Sequence, residues 1–209
     1  MKKLLSNVFA RLYDRNIKNR TLGDEKVDHL IEKTISTNEI YNGRIIKVHL
    51  EEVELPNGEK SMREIVKHPG AVAIIALTDE KKLLLVRQFR KPLERVIYEI
   101  PAGKLEPGEE PLECVKRELA EETGYNSTSI VPVQSFYTSP GFANEIVHVF
   151  YTDQLERLDI TQQLDDDEFL DAVEVTLEEA QKLIEEKKIF DAKTIYAVQY
   201  LQLKESIKK

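Results

Sequence analysis

The sequence predicts an α+β sandwich rather than a doubly wound sheet. Three observations predict this class: a hairpin pattern early in the chain, a short core of apolar runs typical of parallel strands, and helical patterns near the end. The hairpin is predicted from alternating residues 48–55, the turn at 56–58 (Pro-Asn-Gly) and a returning strand at 62–67. With 209 residues, the chain can bury one substantial core, or one domain with an appended element.

The later elements follow from apolar runs between turn signals. Thr176 is expected to cap a helix that begins near Leu177, because Glu179 stands where a capping box needs it. A last helical pattern covers residues 192–203. The strands predicted after the hairpin are 71–77, 83–86, 96–100, 135–137, 146–151 and 172–175.

Composition and charge exclude several classes of protein. The net charge of −8 argues against a general nucleic-acid surface, which would need a basic patch. No apolar run approaches the length of a membrane span, and the single cysteine, Cys114, rules out an internal disulfide. We therefore expect a cytoplasmic protein that has neither a nucleic-acid partner nor a membrane span.

The chain divides into three segments by pattern. Residues 1–26 are an N-terminal extension that suits a short amphipathic helix, used for docking or dimer support rather than for weak membrane-surface contact. Residues 27–68 are predicted as an N-terminal β arm, and residues 69–209 as the main domain. The apolar positions of the extension are Leu4, Leu5, Val8, Phe9 and Leu12.

The most informative segment covers residues 103–125 and is dense in glutamates. Its centre, residues 117–122, has strong helix formers throughout. On a helix Glu118 and Glu122 lie one turn apart, with Glu121 beside them. Like charges at this spacing destabilise a helix by roughly 0.2–0.5 kcal/mol per pair, so a positive partner is expected. Divalent cations, which bind through oxygen, are the obvious candidates.

The alternative is that this segment is an ordinary solvated helix face, because 33% of the residues are charged. The flanking residues favour the metal-binding interpretation. Gly103 follows a strand-like run at 96–100, the Pro-Gly pair at 107–108 signals a turn, and Gly124 ends the segment. Together these features predict a strand–loop–helix–loop unit.

This unit resembles the Nudix box, Gly-x5-Glu-x7-Arg-Glu-U-x-Glu-Glu-x-Gly-U, in which U is a bulky aliphatic residue. Tyr125 departs from the pattern, since it places an aromatic side chain at the last aliphatic position. The resemblance extends from about Thr34 to the C-terminus. It implies a mixed β-sheet held between helices, so that residues 69–209 would be a Nudix hydrolase domain. The positions in register are Gly103, Glu109, Arg117, Glu118, Leu119, Glu121, Glu122 and Gly124.

Clustered carboxylates that hold Mg²⁺, with Mn²⁺ as a substitute, suit hydrolysis of a phosphoanhydride by a metal-activated water. Glu118 and Glu122 are the best pair to bind the metal, and Glu121 and Glu122 are assigned to catalysis. The resemblance adds the backbone carbonyl of Ala102 as a metal ligand. Few protein ligands are needed, because Mg²⁺ keeps several waters and shares its coordination with phosphate.

Other residues of the box are assigned structural roles. Glu109 and Arg117 are expected to form an ion pair that holds the loop against the helix, which we prefer to a catalytic role for Arg117. Gly103 opens the box and Gly124 terminates its helix.

A second resemblance lies downstream of the box, at residues 137–145. This segment contains Ser139-Pro140-Gly141 and resembles the loop of ADP-ribose pyrophosphatases, a Nudix subgroup with a proline at this distance. In that subgroup a glutamate beyond the proline assists catalysis, and Glu145 matches its position. We expect Glu145 to bind a metal or to orient the attacking water; the alternative is a connecting loop with Glu145 exposed.

The same resemblance proposes three substrate-binding residues. Arg90 matches an arginine that contacts phosphate, Arg63 matches one near the adenine, and Tyr41 lies where an aromatic ring stacks on the base. The alternatives are salt bridges for the arginines and a half-buried position at a strand edge for Tyr41. In this subgroup the N-terminal strands are exchanged between two subunits, so the resemblance implies a homodimer with an exchanged antiparallel arm.

The sequence therefore predicts an enzyme that hydrolyses ADP-ribose to AMP and ribose 5-phosphate. One rival is a Nudix hydrolase of another nucleoside diphosphate derivative, such as a nucleotide sugar, because the box addresses only the shared diphosphate. Another rival is a non-catalytic module that binds a nucleotide as a signal. Such a sensor would be expected to have lost carboxylates of the box, and here they are all present.

Overall fold

The structure is a computed structural model that describes residues 27–158 and 169–208. The amphipathic helix expected within residues 1–26 lies outside the described residues. The described chain forms two compact units. The first, called the arm unit, contains residues 27–69 and 137–146, and the second, called the core unit, contains residues 70–136 and 147–208.

The arm unit is built on an antiparallel sheet of three strands in the order β1-β2-β3. These strands are β1 (Lys33–Asn42), β2 (Lys47–Glu54) and β3 (Lys60–Lys67). The predicted hairpin is confirmed by β2 and β3, whose connection includes Gly58 with a φ of +84°. The sequence prediction missed β1, because all ten of its residues are exposed and it shows no apolar alternation.

The loop 137–146 belongs to the arm unit although it is distant in sequence. The backbone N–H of Val66 donates to the carbonyl of Phe142 over 2.8 Å, and the N–H of Asn144 donates to the carbonyl of Val66 over 3.1 Å. The Oδ1 atom of Asn144 also accepts from the backbone N–H of His68 over 2.7 Å. The loop is therefore paired with β3 through backbone hydrogen bonds.

The core unit contains the remaining described strands and the described α-helices. A four-stranded sheet has the order β7-β4-β10-β9, and a three-stranded sheet has the order β12-β5-β6. β4 pairs with β10 in parallel and with β7 antiparallel, so the larger sheet is mixed. The strands are β4 (Ala71–Ala76), β5 (Leu83–Arg90), β6 (Arg95–Glu99), β7 (Ala102–Lys104), β8 (Tyr125–Asn126), β9 (Val131–Tyr137), β10 (Ile146–Thr152), β11 (Glu156–Arg157) and β12 (Leu170–Val175).

The α-helices described in the core unit are α1 (Pro111–Thr123), α2 (Leu177–Glu185) and α3 (Ala192–Lys208). Helix α1 begins with a proline at N1, which needs no N–H there, and ends at Gly124 in the left-handed conformation with φ of +71°. The predicted capping box of α2 is confirmed, because Thr176 Oγ1 accepts from the N–H of Glu179 and the Glu179 side chain accepts from the N–H of Thr176.

Central strand β4 is buried on both faces, as a sheet between helices requires. Ala73 and Ile75 join a core cluster that includes residues of α2 and α3. Val72 and Ile74 point the other way and join a cluster that includes residues of α1. The expected mixed sheet between helices is therefore confirmed. Among the described helices, none is long and apolar enough to cross a membrane.

Candidate active site

The glutamates of α1 differ sharply in burial. Glu118 and Glu122 are 8% and 5% exposed, although a carboxylate is almost never buried without a partner. The Glu113 side chain on the same helix is 65% exposed. Because Glu118 and Glu122 lie one turn apart, both carboxylates lie on the buried side of α1, a helix that contacts β4 and β7 among other strands.

Both carboxylates lie close to the backbone of β7. The N–H of Ala102 donates to Glu122 Oε2 over 2.9 Å. A Cβ atom added to Gly103 would lie 1.8 Å from Glu118 Cδ, far inside van der Waals contact. Gly103 does not have a positive φ, so the position requires glycine for space rather than for backbone conformation. The first glycine of the box therefore admits the Glu118 carboxylate beside β7.

Arg117 joins three of the glutamates of the box. Its Nη1 atom lies 2.9 Å from both Glu118 Oε1 and Glu121 Oε2. Its Nε atom lies 3.1 Å from Glu109 Oε1, and its Nη2 atom lies 3.2 Å from Glu109 Oε2. Hydrogen bonds from the Arg117 guanidinium lower the pKa of Glu109 to about 2. Arg117 thus offsets part of the negative charge of α1. Its bonds to Glu109 also hold the loop before the helix against α1.

The residues fit a hard divalent cation that keeps most of its own water. Glu118 and Glu122 supply buried carboxylate oxygens, and the backbone at 102–103 lies against them where a Cβ would leave no room. Within residues 27–158 and 169–208, no group of three or more His, Cys, Asp or Glu side chains could hold a metal ion. A Mg²⁺ site here would therefore depend on water and substrate phosphate for the rest of its coordination.

Glu145 lies in the arm unit, where other residues of that unit hold its side chain. The hydroxyl of Thr138 donates to Glu145 Oε2. His68 Nε2 lies 3.7 Å from Glu145 Oε1, and the N–H of Thr138 donates to the Glu145 carbonyl over 3.2 Å. The Glu145 carboxylate is 32% exposed and is oriented by a short network rather than free in solvent.

Arg90, at the end of β5, donates from Nε to Glu99 Oε2 over 2.6 Å. The Arg90 side chain is 40% exposed, whereas that of Glu99 is only 4% exposed. Glu99 also accepts from Lys193 Nζ. The salt bridge considered for Arg90 is thus present, and it leaves a large part of the arginine accessible.

Arg63 and Tyr41 lie apart on the sheet of the arm unit. Arg63 forms two hydrogen bonds with Glu32, of 2.8 Å from Nε and 2.5 Å from Nη2. Tyr41 is 57% exposed, and its ring packs against the backbone of Gly43. The register places Tyr41 in line with Val66, three residues along β3 from Arg63, and three residues of strand correspond to about 10 Å. One copy of the sheet therefore does not bring the two side chains together.

Sequence reasoning missed several residues of these networks. Glu99 and Lys193 were not singled out, because their contact joins residues 94 positions apart. No role in the site was predicted for Thr138 or His68. The one available signal was the acidic Glu99 inside an apolar strand-like run, since a charged residue at a buried strand position needs a partner.

Two family models match the chain. The NUDIX domain matches residues 67–198, and the nucleoside diphosphate sugar hydrolase N-terminal domain matches residues 32–66. The chain therefore belongs to the Nudix family and is a Nudix hydrolase.

Two bacterial proteins match most of the chain in sequence. It is 59% identical over 178 residues to the ADP-ribose pyrophosphatase of Bacillus subtilis (strain 168), covering 85% of this chain and 96% of that one. It is 55% identical over 177 residues to the methanol dehydrogenase activator of Bacillus methanolicus, again covering 85% and 96%. A crystal structure of an ADP compounds hydrolase matches with a TM-score of 0.72 at 20% identity, over 82% of this chain and 92% of that one, which supports the fold.

Proposed function

We propose that this protein hydrolyses the diphosphate bond of ADP-ribose, giving AMP and ribose 5-phosphate, with Mg²⁺ as the cofactor and Mn²⁺ as a substitute. The observation that carries the proposal is the pair of buried carboxylates, Glu118 and Glu122, set against the glycine backbone of β7. The 59% identity to an ADP-ribose pyrophosphatase over nearly that protein's whole length supports the choice of substrate.

In this proposal Glu118, Glu122 and the Ala102 carbonyl hold the metal. Bound Mg²⁺ would offset the charge of the diphosphate and make a water more acidic. Glu121, which lies beside the pair, assists catalysis. The conformation of the box is maintained by its structural residues, Glu109, Arg117, Gly103 and Gly124. The water oxygen bonds to a phosphorus, and the bridging oxygen leaves with one phosphoryl group.

Glu145 is proposed to orient the attacking water or to accept its proton. This role is motivated by the resemblance of residues 137–145 to the loop of ADP-ribose pyrophosphatases. The contacts of Thr138 and His68 with Glu145 support a carboxylate held in one orientation. A general base must lie within hydrogen-bond reach of the proton that it accepts, so a fixed orientation favours this role.

The substrate site is proposed to be completed by a second copy of the chain, in a cytoplasmic homodimer with exchanged arms. Arg90 would bind the phosphates, Arg63 would lie near the adenine, and Tyr41 would stack on it. The separation of Arg63 and Tyr41 on one sheet favours contributions from two copies. The apolar side chains of β1, including Ile35 and Ile40, are 45% and 58% exposed, which favours a covered surface in the assembly.

Two other functions have specific support. The match of residues 32–66 to the N-terminal domain of nucleoside diphosphate sugar hydrolases favours a nucleotide-sugar substrate. The 55% identity to a methanol dehydrogenase activator favours a role in stimulating an alcohol dehydrogenase. That role predicts a faster alcohol oxidation when the purified protein is added to such a dehydrogenase, and it does not conflict with hydrolysis.

The deciding experiment compares turnover of ADP-ribose, GDP-mannose and oxidised nucleotides, with and without Mg²⁺, for the wild type and Glu122→Gln. We expect Mg²⁺-dependent hydrolysis with ADP-ribose preferred, and a loss of about 10³-fold or more in kcat for Glu122→Gln. Preferred turnover of GDP-mannose would reject ADP-ribose as the substrate. Tight ADP-ribose binding without turnover of any diphosphate would support the sensor alternative. Sedimentation of the purified protein tests the dimer.

A further inference from the structure

A buried carboxylate lies behind the exposed part of Arg90. Glu99 is 3% exposed and divides its two oxygens between two cations. Its Oε2 atom accepts from Arg90 Nε over 2.6 Å, and its Oε1 atom accepts from Lys193 Nζ. Within the described part of the chain the Nη atoms of Arg90 make no hydrogen bond to protein, so one guanidinium edge is anchored and the other is available.

Lys193 is itself fixed at the first turn of α3. Its Nζ atom lies 2.9 Å from Asp191 Oδ1, and its side chain is only 15% exposed. Asp191 Oδ1 also accepts from the N–H of Thr194 over 3.1 Å, in the manner of an N-cap. Thr194 Oγ1 accepts from the N–H of Ile100, which follows β6, so the turn is anchored next to Glu99. The ammonium group therefore has little freedom to leave the carboxylate.

We propose that Lys193 is a positioning residue for substrate binding, because it neutralises Glu99 and so lets Glu99 hold Arg90 with its Nη edge directed to a substrate phosphate. A carboxylate is costly to bury unless it is paired, and an ionised carboxylate orients a guanidinium more strongly than a neutral one does. This inference rests on the proposed function, since it takes Arg90 as a phosphate contact.

Lys193 is expected to affect the affinity for substrate rather than the rate of the chemical step. Lys193 lies behind Glu99 and reaches the substrate only through Arg90. Loss of the ammonium leaves Glu99 Oε1 without this partner, so the carboxylate can rotate and carry the bound guanidinium with it. The substrate must then restore the ordered orientation when it binds. A residue that acted only on the stability of α3 would lower the melting temperature without changing KM selectively.

The test measures kcat and KM for ADP-ribose, and the Kd by calorimetry, in a double-mutant cycle of Arg90→Ala and Lys193→Met. We expect Arg90→Ala to raise KM and Kd roughly tenfold or more, and Lys193→Met to raise them about three- to tenfold with kcat within about threefold. The double variant should match Arg90→Ala alone, because both changes remove the same contact. Lys193→Arg keeps the charge, so its KM should lie closer to that of the wild type than the KM of Lys193→Met does.

Glu99→Gln provides a second route if Lys193→Met fails to fold, and it should raise KM in the same way. Lys188→Met is the matched control, because it removes an exposed lysine paired with Glu186 at 2.7 Å and should leave KM unchanged. Additive effects in the cycle, or an unchanged KM and Kd in Lys193→Met, would overturn the inference. If the wild type binds ADP-ribose without hydrolysing it, the proposed function fails, and the Kd series still decides the role of Lys193.

Discussion

Replacing Gly103 with alanine tests whether space for the Glu118 carboxylate is what the first box glycine provides. The new methyl carbon would lie 1.8 Å from Glu118 Cδ and Oε1, and 2.3 Å from Oε2. Carbon atoms in ordinary contact are about 3.5–4.0 Å apart, so the carboxylate must move by roughly 1.5–2 Å. Misplacement of a catalytic group by about 1 Å can cost about 10²-fold, so kcat should fall at least that far.

The assay follows release of AMP and ribose 5-phosphate with a coupled phosphatase, which removes phosphate from these monoesters and not from the intact diphosphate. The Mg²⁺ concentration that gives half-maximal rate should rise in Gly103→Ala, because Glu118 no longer holds its place beside β7. Circular dichroism and a melting curve confirm that the variant is folded.

Gly58→Ala is the matched control for this prediction. Nothing lies within 4 Å of its added Cβ, and the φ of +84° gives a backbone strain of roughly 1–2 kcal/mol. It should therefore lower stability and leave kcat unchanged. If Gly103→Ala kept kcat within about threefold of the wild type with the same Mg²⁺ dependence, the spatial argument for Glu118 would be wrong.

Three further predictions concern other contacts of the chain. The pKa of Glu109, lowered from 4.5 to about 2, gives stability that is full above pH 4.5 and is lost as the pH falls towards 2. We expect the free energy of unfolding to fall with pH by up to about 3 kcal/mol less in Glu109→Gln than in the wild type, as measured by acid titrations followed by circular dichroism. Equal decreases in the two proteins would contradict this. Thr138→Val should lower kcat about tenfold while Thr138→Ser retains it, and in a Glu145→Gln background it should add nothing; additive losses would exclude action through that carboxylate. Thr176→Ala should destabilise the protein by about 1 kcal/mol in urea denaturation with kcat unchanged, and an unchanged midpoint would show that the cap contributes little.

The electrostatics of the box depend on contacts that the sequence only suggests. Arg117 could be paired with Glu109 from the motif, but its simultaneous bonds to Glu118 and Glu121 are visible only in the folded helix. One guanidinium thus contacts three carboxylates and offsets part of their charge. This explains how α1 tolerates a density of like charges that would destabilise an isolated helix.

The N-terminal arm shows the limit of pattern reasoning. The hairpin of β2 and β3 was predicted, because its turn residues and alternation are local signals. Strand β1 was not predicted, since its ten residues are exposed in the described chain and leave no apolar period. The backbone pairing of the loop 137–146 with Val66 joins residues more than 70 positions apart, and no local pattern in the sequence indicates it.

By itself, the sequence determined the glutamate-rich helix of the box, the glycine that ends it and the capping of α2. Each depends on residues within one or two helical turns, where spacing along the chain translates directly into position in space. Only the tertiary structure decided that Glu118 lies against Gly103 and that Lys193 and Arg90 share Glu99. Those contacts join residues 9 to 94 positions apart on different strands and helices, and packing of these elements, rather than local periodicity, brings the residues together.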